Sequence, residues 1–69
     1  MKKYYVNKTP QPNGDNEVHT EGCFWLSIAQ NVLYLGVFRN AYEALEAAKV
    51  YYPRSADGCK HCCPEIHKH

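Results

Sequence analysis

Sixty-nine residues with a net charge of +1 leave room for one domain and one small core. Acidic and basic residues are scattered along the chain, which argues against a strong electrostatic footprint for nucleic acid or an anionic membrane. Six tyrosines, two phenylalanines and a tryptophan argue against a disordered composition, but a core this small rarely supplies more than about 3–5 kcal/mol net, so the chain is expected to carry a staple.

From the start, Met1-Lys2-Lys3-Tyr4-Tyr5-Val6 has two lysines but no long apolar run and no small-residue cleavage site. Neither a signal peptide nor a membrane span is expected. The expected compartment is a reducing cytoplasm, where closely spaced cysteines are more often metal ligands than disulfides. Tyr4-Tyr5-Val6 reads as a short strand, and two prolines and Asn13-Gly14 make the following segment a loop or wide turn. Glu17-Val18-His19 resumes extended character and suggests a loose hairpin. Cys23-Phe24-Trp25-Leu26 lacks clean periodicity and reads as an irregular knuckle with its aromatics turned into the core.

Val32 to Phe38 is the clearest strand. Its alternation places Leu33, Leu35 and Val37 on one face and Val32, Tyr34 and Phe38 on the other, with Gly36 a candidate bulge. Asn40 followed three residues later by Glu43 predicts a capped helix from Ala41 to about Tyr52, stopped by Pro53. Ala41, Ala44, Leu45, Ala48 and Tyr52 fall on its buried side. Together these elements predict a small α+β domain over residues 1–64, a short antiparallel sheet with one helix packed on it. Residues 65–69 read as a short polar, mobile tail.

All four cysteines lie in two short segments, His19-Thr20-Glu21-Gly22-Cys23 and Cys59-Lys60-His61-Cys62-Cys63-Pro64. A tetrahedral zinc site takes four N and S donors, commonly as two close pairs from distant parts of the chain. Disulfide pairing allows three connectivities, one of which joins the neighbours Cys62 and Cys63 with severe backbone strain. The metal reading fits better. Cys59 and Cys62, two residues between them, form the strongest pair, and Cys23 is the only distant cysteine. The fourth donor can be His19, Cys63, His61 or His67. His19 is favoured because its interval to Cys23 resembles a knuckle and the extended residues before it hold it in place. Cys63 should point away from the metal that Cys62 faces, although its interval to His67 is ligand-like.

The order His19-x3-Cys23-x2-Leu26, then Phe38 and Glu43-Ala44, then Cys59-Lys60-x-Cys62-x-Pro64, resembles the Ada-type metal-binding domain. That module is the N-terminal zinc domain of a bacterial DNA-repair methyltransferase. The resemblance covers most of the stretch from Val18 to Pro64. The chain is also similar to small stand-alone bacterial proteins of uncharacterised function that share the Tyr4-Tyr5-Val6-Asn7 and Asp57-Gly58-Cys59 blocks. The resemblance implies one zinc per chain bound by His19, Cys23, Cys59 and Cys62, and a small sheet with a helix packed on it. In the repair protein the first ligand is a cysteine that accepts a methyl group. His19 stands there in this chain and cannot play that part.

No phosphate loop, nucleophile elbow or metalloprotease His-Glu motif is present. The leading expectation is a non-enzymatic, zinc-stabilised binding module, because four protein ligands leave no open position for substrate. A nucleic-acid-associated accessory protein and a thiol-reactive protein using Cys63 are the alternatives. The expected partner is a protein or a nucleic acid, with no membrane, and the chain is expected to be a monomer that binds DNA weakly at most.

Overall fold

Strand β1 (Lys2–Asn7) lies at the centre of the sheet and pairs antiparallel with two neighbours. On one side it joins β2 (Asn16–Thr20), setting Tyr5 opposite His19 and Val6 opposite Val18. On the other it joins β3 (Val32–Phe38). The computed structural model describes residues 1–68. The strand order is β3-β1-β2-β4, where β4 is the short strand Ala56–Gly58. It runs parallel to β2, so the sheet is mixed rather than antiparallel throughout. Asp57 and Gly58 are poor strand formers, so the sequence carries no signal for this strand.

Helix α2 (Ala41–Tyr51) packs on the sheet with Ala41, Ala44, Leu45 and Ala48 buried, the face expected from the 3.6-residue period. Asn40 caps it: its side-chain oxygen accepts the Glu43 N–H at 3.0 Å. Glu43 reaches back to accept the Arg39 N–H at 3.0 Å and pairs with the Arg39 guanidinium. Three alanines on the buried face keep the helix close to the sheet. The core beneath it is made by Tyr4, Val6, Val18, Leu45, Cys63 and Ile66, with Leu33, Leu35, Phe38 and Tyr52 packed around them.

A bulge in β3 revises the faces expected from simple alternation. Tyr4 pairs with Gly36 and Tyr5 with Tyr34, so Leu35 is the extra residue. One extra residue reverses the alternation beyond it. Phe38 therefore joins Leu33 and Leu35 against the core, while Val37 turns outward. Gly36 sits at φ 129°, a region that a side chain rarely adopts, which accounts for glycine at the bulge.

The segment Cys23 to Ile28 also departs from expectation. It forms a short helix, α1 (Phe24–Ile28), with no buried residue of its own. Phe24 is 65% exposed and Trp25 44%, so these aromatics do not enter the core. One helical turn lying against β2 has too little surface to bury both rings.

The C-terminal segment is docked rather than free as far as it is described. Pro64–Ile66 makes a single 3-10 turn, and Ile66 is only 2% exposed, packed in the main core. Polar neighbours on both sides hide this anchor in the sequence. The predicted tail position of His69 lies outside the described residues. Ile66→Ala is expected to destabilise the metal-loaded protein by about 2–5 kcal/mol through lost burial and the cavity left behind. Urea unfolding at saturating metal measures it, with exposed Glu65→Ala as the near-neutral control.

Candidate metal centre

Four donors from three separate parts of the fold converge at the end of the β2–β4 pair. In β2, Val18 faces the core against Val6, so its neighbour His19 points to the opposite side of the sheet. The chain then reverses through Glu21-Gly22, with Gly22 at φ 84° and the Cys23 N–H donating to the Thr20 carbonyl at 3.3 Å. That turn brings Cys23 Sγ to 3.7 Å from His19 Nδ1.

The third donor depends on β4. Parallel pairing sets Gly58 beside Val18, and the Cys59 N–H continues the ladder to the Val18 carbonyl at 3.0 Å. Cys59 consequently lies next to His19 in space, although the two are far apart in the chain. A turn closed by the Cys63 N–H and the Cys59 carbonyl at 2.8 Å then returns Cys62, whose Sγ lies 3.8 Å from His19 Nδ1. All four ligand atoms, from His19, Cys23, Cys59 and Cys62, lie within 4.8 Å of one another. A tetrahedral ion with arms of ~2.0–2.3 Å needs donor–donor edges of roughly 3.5–3.8 Å, so the cluster can hold a metal ion after small side-chain movements.

The electrostatics fit that use. His19 is 1% exposed and its burial lowers its pKa, which keeps the imidazole neutral and available as a ligand. Burial pushes the Cys59 thiol up to about 12, partly opposed by hydrogen bonds from the Cys62 and His61 amides. The Cys62 thiol is raised by its contact with Cys63 and by burial, with the Thr20 amide pulling the other way. The Thr20 N–H donates to Cys62 Sγ at 3.4 Å. Without a cation the Cys59 and Cys62 sulfurs therefore stay protonated. A divalent ion reverses this balance, and the same amides then stabilise the thiolates.

The other expected donors lie elsewhere. Cys63 is completely buried in the core, its Sγ 3.8 Å from Cys62 Sγ, so it is shielded from an incoming electrophile. His61 is exposed and tilts against Trp25, ring centroids 5.6 Å apart. His67 Nδ1 contacts the Gly58 carbonyl at 2.9 Å and Asp57 Oδ2 at 3.2 Å, which fastens the C-terminal segment to β4. All four cysteines are free thiols.

Compared with known proteins, the chain matches no family model, no curated protein and no solved structure.

Two groups at the site were not singled out from sequence. The Thr20 amide carries no sequence signal, because any residue supplies one. Glu17 does carry one: it precedes His19 by two residues in a strand and so shares its face. Its carboxylate lies 3.7 Å from His19 Nε2, and burial raises its pKa.

Proposed function

We propose that this chain is a zinc-stabilised binding module, with one structural Zn²⁺ held by His19, Cys23, Cys59 and Cys62 and no catalysis at the metal. The observation that carries this reading is the meeting of one imidazole and three sulfurs within 4.8 Å. That donor set, soft and four in number, favours zinc over the oxygen-seeking cations. Four protein donors complete a tetrahedron and leave no position for water or substrate, which supports a structural rather than a catalytic ion. A core of mostly small residues supports the need for it.

The likeness to the Ada-type metal-binding domain is part of the proposal, and the order of the four donors supports it. His19 at the methyl-acceptor position argues against methyl transfer. The binding role draws support from exposed Phe24 and Trp25, which stand with His61 on the wall of a cleft of about 430 Å³ beside Cys23 and Cys62. Aromatic side chains kept out of the core and next to a rigid centre suit a protein or nucleic-acid partner. No helix among the described residues is long and apolar enough to cross a membrane. A monomer working in the cytoplasm completes the reading. Native mass spectrometry of protein purified without chelator is expected to find one zinc per chain. A metal-free mass from zinc-replete cells contradicts the proposal.

A further inference from the structure

The two ring nitrogens of His19 face different chemistry. Nδ1 looks toward the sulfurs, 3.7 Å from Cys23 Sγ and 3.8 Å from Cys62 Sγ. These are the edge lengths of a tetrahedron around zinc. Nε2 looks the other way, toward Glu17 Oε1 at 3.7 Å. An imidazole that gives Nδ1 to a metal carries its remaining proton on Nε2, and that proton needs an acceptor in an enclosed site.

Glu17 is placed to be that acceptor. It shares the outer face of β2 with His19, and both line a cavity of about 220 Å³ walled by Trp25 and Ile28. The 3.7 Å gap is too short for a bridging water and closes to a hydrogen bond with a small side-chain rotation. The sheet alone does not explain an acid here. Glu17 is the register partner of Asp57, and like charges on neighbouring strands oppose pairing. Asp57 turns to His67 and to the Lys68 N–H, while Glu17 turns to His19.

Resting on the zinc reading above, we propose that Glu17 is a positioning residue for the metal. Its carboxylate accepts the Nε2 proton of His19, selects the tautomer that frees Nδ1, and holds the ring toward the three sulfurs. The same carboxylate makes the imidazole a better donor by polarising its N–H bond.

The test compares zinc-loaded wild type, Glu17→Gln and Glu17→Ala by chelator competition and by imidazole ¹⁵N spectra. In the wild type the metal-bound nitrogen is expected to be Nδ1 and the protonated one Nε2. Glu17→Ala is expected to weaken zinc binding about 10–100-fold and to shift the Nε2 signal. Glu17→Gln keeps a neutral acceptor and should lose affinity only at the low end of that range. If the alanine variant fails to fold, the glutamine variant carries the test through its smaller loss and its shifted Nε2 signal. Ligation through Nε2 overturns the inference, as does unchanged affinity, or altered stability with unmoved imidazole signals. A wild-type chain that binds no zinc overturns the zinc reading itself. One zinc on the wild type with an indifferent Glu17 overturns only this inference.

Discussion

Stripping the proposed zinc with a chelator is expected to unfold this protein at neutral pH. The donors tie together β2, the start of α1 and the segment after β4. A structural zinc site contributes about 10–16 kcal/mol of apparent binding free energy, against about 3–5 kcal/mol from a core of this size. Losing the larger quantity leaves at most that small margin, and for a chain this short the sum of burial and ordering entropy usually closes near zero. Acid should act in the same direction for two reasons. Protons compete with the metal for thiolates and imidazole, so affinity falls as pH falls. In the metal-free chain His19 is held below its ordinary value of 6.5, so the unfolded state takes up its proton first and stability drops below that pH. Alkali should likewise oppose any refolding of the metal-free chain, because the Cys59 thiol is raised from 9.0 to about 12 in the fold and ionises more readily when unfolded. Circular dichroism and amide NMR spectra before and after chelation measure the effect. A chelated sample that keeps the full, well-dispersed spectrum sinks the idea.

Single substitutions at the cluster should divide cleanly from substitutions at its neighbours. Cys23→Ser, Cys59→Ser and Cys62→Ser are each expected to abolish stoichiometric zinc and to leave the chain largely unfolded. His19→Ala should weaken zinc severely, since its Nδ1 stands at tetrahedral distance from two of the sulfurs. Cys63→Ala should retain one zinc per chain and lose about 0.5–3 kcal/mol, because its sulfur fills core space. His67→Ala should also retain zinc, its ring being engaged with Asp57 and Gly58. Zinc stoichiometry by mass spectrometry and urea midpoints at saturating metal separate these outcomes. Loss of zinc from His67→Ala together with full binding by His19→Ala would mean that the fourth donor is the C-terminal histidine.

The sequence by itself determined the features governed by local rules. The run of β-branched and aromatic residues defined β3 to the residue, from Val32 to Phe38. Asn40 and Glu43 set the start of α2, and the helical period chose the alanine face that meets the sheet. The close intervals within each ligand pair were equally legible, since a short turn alone brings such donors together. What followed from contacts between distant segments was decided only by the tertiary structure. The four donors meet because β4 pairs parallel to β2 and carries Cys59 alongside His19, and nothing in Ala56-Asp57-Gly58 announces a strand. The C-terminal turn docks because Gly58 has no side chain: a Cβ there would collide with Ile66 and come within 2.6 Å of the Cys63 carbonyl oxygen. The bulge at Leu35 exchanged Phe38 for Val37 on the core face, since one inserted residue inverts a period of two. Phe24 and Trp25 stayed outside because α1 is a single turn that lies against β2 and buries no residue of its own, a consequence of how the elements pack and not of the apolar character of either residue.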